Sequence, residues 1–219
     1  MKHVSNKQSG FTLVEIAIVL VIIGLLLGGV LKGQSMIDNA KVKGLANEFR
    51  SVPSMVYAYQ DKFKALPGDD PAAVSHQANA TQATAATAGN GLIDTGKWIG
   101  LAAPAATDET SLMWQQLRLS DLSTGVATSG TSTNAVGGVL GLTSNAARPT
   151  SPAGVGGIFY VCSSTINGKI AKLLDFALDD GDGTLGSLWA SVQAAAPISV
   201  ATANAAYVDT NIYSVCQAA

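Results

Sequence analysis

Residues 11–31 read FTLVEIAIVLVIIGLLLGGVL, an apolar run of 21 residues whose polar members, Thr12 and Glu15, both lie near its start. As an α-helix this run would be about 31 Å long, which matches the roughly 30 Å hydrocarbon core of a bilayer. A helix that packs in the core of a soluble domain would carry polar residues along one face. We therefore predict that residues 11–31 span a membrane.

The segment before this run indicates the orientation of the helix. Residues 1–10, MKHVSNKQSG, contain Lys2 and Lys7 and no acidic residue, and the positive-inside rule places such a segment in the cytoplasm. The rest of the chain is then exported. A secretory signal peptide is the alternative, but it has a shorter apolar stretch and a small-residue cleavage site, which Val30-Leu31-Lys32 does not provide.

The charge is divided unevenly along the 219 residues. Residues 1–64 hold eight basic and four acidic side chains, whereas residues 65–219 hold five basic and eleven acidic ones. Such asymmetry indicates two physical environments, and the acidic balance argues against nucleic-acid binding by the exported part. Two cysteines and two histidines exclude a disulfide-dense scaffold and a four-cysteine zinc site.

Glu15 is a carboxylate inside the apolar run, where a charge costs about 2.5–3.5 kcal/mol on insertion scales. Either it lies near the interface and snorkels or stays protonated, or it waits for a cation that arrives later. The surrounding hexapeptide, Gly10-Phe11-Thr12-Leu13-Val14-Glu15, followed by an unbroken apolar helix, resembles the type III signal of type IV pilins and type II secretion pseudopilins.

This resemblance implies a sequence of processing and assembly. A prepilin peptidase would cut after Gly10 and N-methylate Phe11, and Glu15 would attract the new amino group of Phe11 on a neighbouring subunit. The chain would then self-assemble into a filament on an inner-membrane assembly platform. The ten-residue leader favours the type IVa or pseudopilin side of the family. The GxxxG spacings at Gly24/Gly28 and Gly29/Gly33 favour close helix packing, with simple flexibility as the alternative.

Beyond the membrane the helix is predicted to continue to about residue 64. Apolar residues follow one another at alternating spacings of three and four, which places them on one face of a helix; they are Val42, Leu45, Phe49, Val52, Val56, Tyr59 and Phe63. Pro53 should kink this helix or open a turn, and Leu66-Pro67-Gly68-Asp69 should end it. The predicted organisation is a leader at 1–10, a long helix at 11–64 and an exported globular head at 65–219.

In the head we predict a loop or weak helix at 72–88 and a short helix at 107–122, followed by an irregular excursion at 123–157. A strand at 158–162 and a helix beginning near Asn167 come next. Two further strands are predicted at 186–192 and 207–216. The fold class is α+β, with three or four antiparallel strands packed on the long helix, the ladle shape of the family. Short stretches of the head also resemble a pilin-like subgroup: ALPGD at 65–69, WQQL at 114–117, LDDG at 178–181 and YSVC at 213–216.

Cys162 and Cys216 are the two cysteines, and both lie in the exported part. In an oxidising periplasm we expect them to form a disulfide, which would join the strand at 158–162 to the C-terminal strand. Two buried free thiols are the alternative. The absence of a C-x-x-C spacing argues against a redox role.

Asp179-Asp180-Gly181-Asp182-Gly183-Thr184 is the best metal candidate, because clustered carboxylates on a tight loop suit Ca²⁺. Asp179, Asp180 and Asp182 are the candidate ligands, but Leu185 stands where an EF-hand needs glycine and no glutamate closes the loop. A turn with solvated carboxylates is the alternative, and no cofactor is otherwise expected.

The sequence contains no catalytic motif that we recognise, and we expect no enzymatic activity. Asp69-Asp70 is best explained by turn chemistry, and His76 lies in an Ala/Thr-rich tract where no acid or nucleophile is expected beside it. We expect a structural subunit of a type IV pilus or pilus-like filament. The alternatives are a pseudopilin of type II secretion or a periplasmic binding module anchored by a single span. The head would face the periplasm before assembly, and the filament would be an extracellular pilus or a periplasmic pseudopilus.

Overall fold

The computed structural model describes residues 12–84, 88–193 and 203–219. A long apolar helix is followed by shorter helices and a small antiparallel sheet, so the predicted α+β class is confirmed. The elements in chain order are α1 (Leu13–Phe63), α2 (Ala73–His76), α3 (Glu109–Leu119), β1 (Ser132–Thr133), β2 (Val139–Thr143), β3 (Tyr160–Asn167), α4 (Gly168–Leu178), β4 (Leu188–Val192) and β5 (Ile212–Ala218).

The chain forms two compact units, Met1–Ala40 and Lys41–Ala219. In the first unit, α1 is apolar and its side chains are exposed. It is long and apolar enough to cross a membrane. In the second unit, α1 buries one face, as the spacing of its apolar residues predicts. The buried residues of this face are Val42, Leu45, Ala46, Phe49, Val52, Val56 and Tyr59.

Helix α1 continues through Pro53, and the turn considered from the sequence does not open there. Proline removes one backbone donor from a helix, but Val52 and Val56 on either side of it are fully buried. Their burial stabilises the helical path by roughly 1.5–3 kcal/mol for each side chain, which offsets the lost hydrogen bond.

The five strands pair antiparallel in the order β1-β2-β3-β5-β4. Successive side chains of β3 point to opposite faces of the sheet. Val161 belongs to the main core, which also contains the buried face of α1. Tyr160 and Cys162 belong to a second cluster with Trp98, Trp189 and Cys216. The sheet is therefore covered on both faces.

The two longer helices of the second unit, α3 and α4, each begin directly after a residue whose side chain caps the first turn. The Asp108 side chain accepts a hydrogen bond from the backbone N–H of Ser111 at the start of α3. At the start of α4, the Asn167 side chain accepts a hydrogen bond from the backbone N–H of Lys169. Asp, Asn, Ser and Thr are favoured at this position because a short side chain reaches an unpaired backbone donor of the first turn.

The prediction of an irregular excursion at 123–157 is wrong in its central part. Strands β1 and β2 lie there, and they raise the strand number from the predicted three or four to five. Strand β2 pairs with β3, with Gly141 opposite Cys162. A Cβ atom at Gly141 would collide with the backbone carbonyl of Trp98. Glycine is therefore required by a close approach of two backbones, and this glycine also hides the strand pattern in the sequence.

Candidate functional site

The start of α1 is held by a reciprocal pair of hydrogen bonds. The Glu15 carboxylate (Oε2) accepts hydrogen bonds from the backbone N–H of Thr12, at 2.8 Å, and from its hydroxyl, at 2.7 Å. The Thr12 hydroxyl oxygen in turn accepts the backbone N–H of Glu15 at 3.2 Å. This is a capping box, which satisfies backbone donors that the first turn leaves unpaired. Glu15 therefore has a local structural role in addition to any role in assembly.

Sequence reasoning missed this role, although the signal for it is present. The pattern Thr-x-x-Glu directly before an apolar run is the signature of a capping box. Gly10 and Phe11, where cleavage and methylation are predicted, lie outside the described residues, as does the rest of the leader. The assembly role of Glu15 stays a prediction.

The apolar side chains that follow the capping box are uncovered. Leu13 is 91% exposed and Leu25 is 73% exposed, and every apolar side chain larger than alanine from Leu13 to Leu31 exposes at least 46% of its area. A soluble monomer rarely exposes a continuous apolar surface of this size, so such a surface marks an interaction site. Lipid or other protein chains are the surroundings that this segment requires.

Four glycines lie along the same segment with open space around them. Apart from neighbouring residues and the nearby backbone of α1 itself, no atom of the described residues lies within 4 Å of a Cβ built on Gly24, Gly28, Gly29 or Gly33. Packing within the chain therefore does not explain these glycines, in contrast to Gly141. Their GxxxG spacing fits an approach by another helix.

Cys162 and Cys216 are joined by a disulfide, as the sequence predicts. They lie directly opposite each other on β3 and β5, with their Cα atoms 4.1 Å apart. Both are fully buried, and Trp189 is opposite Cys216 on the next strand. The bond closes a separation of 54 residues, which corresponds to about 4 kcal/mol in the chain-entropy treatment. It therefore joins β3 and β5 covalently at a position where their backbones already pair.

The acidic loop after α4 brings Asp179 and Asp180 close to Asp175 of the helix, with one carboxylate oxygen of each within 4.8 Å of the others. Asp182, the third predicted ligand, is not in this group. Its carboxylate accepts hydrogen bonds from the backbone and the hydroxyl of Thr184, two residues further along the loop. The predicted trio is therefore only partly assembled.

Hydrogen bonds within the protein already occupy the carboxylates of Asp175 and Asp179. Asp175 is fully buried and accepts hydrogen bonds from the Tyr207 hydroxyl at 2.7 Å and the Gly181 N–H at 3.0 Å. Burial raises the pKa of Asp175, against the effect of these two hydrogen bonds. Asp179 accepts the N–H of Leu188 at 2.9 Å, which ties the end of α4 to β4. This arrangement supports the interpretation of the segment as a turn.

His76 does have an acid beside it, contrary to the expectation from the sequence. Its Nδ1 lies 2.7 Å from Oδ2 of Asp70, which is fully buried. The same oxygen accepts the Tyr59 hydroxyl of α1 at 2.8 Å, and the imidazole stacks on the Phe63 ring with centroids 5.1 Å apart. The group ties the loop after Pro67 to α1. Asp70 lies 11 residues after Tyr59 and 6 before His76, and the turn that follows α1 brings the three together.

Asp69 also accepts hydrogen bonds from a distant loop, which goes beyond the predicted turn role. Its carboxylate receives the backbone N–H groups of Gly89, Asn90 and Gly91. The neighbouring Glu109 side chain is fully buried and receives the N–H groups of the two residues Asp94 and Thr95 through Oε2. Burial raises the pKa of both Asp69 and Glu109. These acids organise the loop at 89–95.

Comparison with known families identifies the amino-terminal segment. The family described as the prokaryotic N-terminal methylation motif matches residues 5–31. No curated protein and no solved structure matches the chain. The match spans part of the predicted leader, the capping box and the uncovered apolar run. The chain therefore carries, at the start of its long helix, the signature of type IV pilins and pseudopilins.

Proposed function

We propose that this chain is a structural subunit of a type IV pilus or pilus-like filament, with a mechanical and not an enzymatic role. The observation that carries the proposal is a capped helix start followed by apolar side chains that stay exposed from Leu13 to Leu31. Such a surface is stable in lipid before assembly and among the helices of other copies afterwards. The matched methylation motif covers the same residues.

Processing would prepare this helix for assembly. A prepilin peptidase would remove the leader, residues 1–10, by cutting after Gly10, and would methylate the new amino group of Phe11. The amino group of one subunit and the Glu15 carboxylate of its neighbour would then pair in a medium of low dielectric constant. The attraction between opposite charges is stronger there than in water. An inner-membrane assembly platform would supply the subunits.

The second unit would lie outside the cytoplasm. The disulfide between Cys162 and Cys216 supports an oxidising compartment. The basic residues Lys2 and Lys7 before the apolar run support a cytoplasmic leader. We infer a single-pass inner-membrane precursor with residues 65–219 as a periplasmic head, which the filament then carries out of the membrane.

Intact-mass measurement of the membrane-extracted protein tests this proposal. The mature chain should begin at Phe11 and carry one methyl group. Gly10→Val should block cleavage, because the peptidase must approach the backbone where a side chain would intrude. Gly24→Val is the control for cleavage alone and should be cut normally, because a Cβ atom there contacts no side chain among the described residues. An unprocessed wild-type chain in assembled material would contradict the proposal and favour a simple membrane tether.

The location of the polymer distinguishes the two uses of such a filament. Immunogold labelling of intact cells should detect the second unit on fibres outside the cell. Labelling that requires opening of the outer membrane, with normal processing, would assign the chain to a periplasmic secretion pseudopilus instead.

A further inference from the structure

Arg118, in the last turn of α3, is a buried cation held by backbone carbonyls. It is 9% exposed. Its Nε donates to the carbonyl of Thr124 at 3.1 Å, one terminal nitrogen donates to the carbonyl of Thr131 at 2.6 Å, and the other donates to the carbonyl of Ser129. Its guanidinium also lies 5.6 Å from the centre of the Trp114 ring. Backbone carbonyls of the loop at 124–131 therefore surround the Arg118 guanidinium.

Within the described part of the chain, no carboxylate forms an ion pair with Arg118, whereas Lys64 pairs with Asp61 and His76 with Asp70. Residues 65–219 contain eleven acids and only five cations, so the lack of a partner for Arg118 is not due to a shortage of acids. Carbonyl dipoles accept hydrogen bonds but bring no net negative charge. A guanidinium has five N–H donors, and the three bonds to carbonyls leave two of them available.

Arg118 also lines a cavity of about 370 Å³. This volume is within the range of sites for small molecules. Thr124, Ser132 and Thr133 also line this cavity, and their hydroxyl groups make no hydrogen bond to any of the residues that the structure describes. Val126, with 67% of its area exposed, adds one apolar contact. We call this site the Arg118 pocket.

We propose that the Arg118 pocket binds a small hydroxylated acid, such as an acidic sugar. The ligand's carboxylate would lie against the Arg118 guanidinium, and its hydroxyls against those of Thr124, Ser132 and Thr133. A guanidinium fork matches the two oxygens of a carboxylate, and the bound anion would supply the missing counter-charge. Burial lowers the pKa of Arg118, so the protonated side chain gains from an anion at this place.

Thr133 offers a matched pair of variants for the test. Its side chain is exposed, and β1 meets β2 through backbone pairing at this position. Thr133→Glu places a carboxylate at the pocket and should neutralise Arg118 from within the chain. Thr133→Gln has nearly the same size and no charge. Neither substitution removes a buried group, so both variants should keep the wild-type melting temperature within a few degrees.

The experiment titrates the full chain in detergent micelles with glucuronate at constant ionic strength, and follows tryptophan fluorescence and melting temperature. Glucuronate should bind saturably, and neutral glucose should bind at least about tenfold more weakly, since tenfold corresponds to the loss of one charged hydrogen bond. Thr133→Glu should weaken glucuronate binding at least about tenfold more than Thr133→Gln does, because both variants lose the threonine hydroxyl and only the glutamate adds a negative charge. Arg118→Gln should abolish binding, and the Thr133 pair decides the question if that variant does not fold.

Three results would overturn the proposal: no saturable response to glucuronate, equal binding of glucose, or equal binding by the two Thr133 variants. Inorganic phosphate tests the part assigned to the hydroxyl groups, because it supplies the anion without the sugar ring. If phosphate binds as tightly as glucuronate, the proposed contribution of the hydroxyl groups to binding is wrong. Weaker binding of phosphate would support it.

Discussion

Thr12 and Glu15 bond to each other in both directions at the start of α1. The glutamate carboxylate accepts from the threonine N–H and hydroxyl, and the threonine hydroxyl accepts from the glutamate N–H. Glu15 therefore combines two roles that substitutions can separate: a capping acceptor and a negative charge. Glutamine serves equally as the third helical residue of a capping box but carries no charge.

Glu15→Gln should keep the helix start, insert into the membrane and fail to assemble efficiently, because the amino group of Phe11 would lack a counter-charge. Thr12→Ala should cost about 1 kcal/mol of helix stability and still assemble, because the charge is kept. The measurement is the ratio of polymerised to membrane-extractable subunit for each variant. Normal filaments from Glu15→Gln, together with failure of Thr12→Ala, would assign the importance of Glu15 to capping.

Removal of the disulfide should destabilise the second unit without changing its register. The double variant Cys162→Ser/Cys216→Ser should lose about 4 kcal/mol of stability, because the unfolded chain is no longer constrained over this separation. The half-life against a protease in solution should fall accordingly. Thiol labelling of the native wild-type protein provides the control. Labelling of both cysteines in the folded state would show that the bond is absent from the protein in solution.

The buried carboxyl groups predict that lowering the pH from 7 towards 5 raises stability. Burial raises the pKa of Asp69, Glu109 and Asp175 above the values of the unfolded chain. The folded state therefore binds protons more tightly. The stabilisation from these protonated acids is complete when the pH lies below their pKa values in the unfolded chain. It is lost as the pH rises through their pKa values in the folded protein. The melting temperature of the full chain in micelles should be higher at pH 5 than at pH 7.

Glu109→Gln tests the contribution of one of these groups to the pH dependence through a conservative change. Oε2 of Glu109 receives two backbone N–H groups, whereas Oε1 is buried without a hydrogen-bond partner in the described structure. An amide keeps the accepting oxygen and removes the charge. The variant should melt higher than the wild type at pH 7 and show a smaller difference between pH 5 and pH 7. An unchanged difference would assign the pH dependence to other groups.

The acidic loop at 179–184 should hold its fold without a metal. The carboxylates of Asp175, Asp179 and Asp182 accept hydrogen bonds from the protein, so EDTA should leave the melting temperature unchanged, and added Ca²⁺ should not raise it. Asp179→Ala should cost about 1–3 kcal/mol, because the backbone N–H of Leu188 loses its partner. A rise with Ca²⁺ that Asp180→Ala abolishes would establish a Ca²⁺ site instead.

Several features of this protein follow from local sequence alone. The apolar run at 11–31 and the apolar spacing from Val42 to Tyr59 predict the long helix and its buried face, because helical periodicity depends on near neighbours in the chain. The capping residues Asp108 and Asn167 predict the starts of α3 and α4 for the same reason. The capping box at Thr12 and Glu15 belongs to this class as well, because its residues are three apart.

Other features depend on contacts between segments that lie far apart. Strand β2 has little strand signal of its own and becomes a strand through pairing with β3, where Gly141 permits the approach of Trp98. His76 acquires Asp70 and Tyr59 as neighbours, and Arg118 acquires a ring of carbonyls and a cavity, only after the loops have folded over α1 and α3. Local sequence determined the helices because their hydrogen bonds join residues four apart. Tertiary structure decided the sheet edge, the buried acids and the Arg118 pocket, because their partners lie on other strands, helices or loops and meet only through packing.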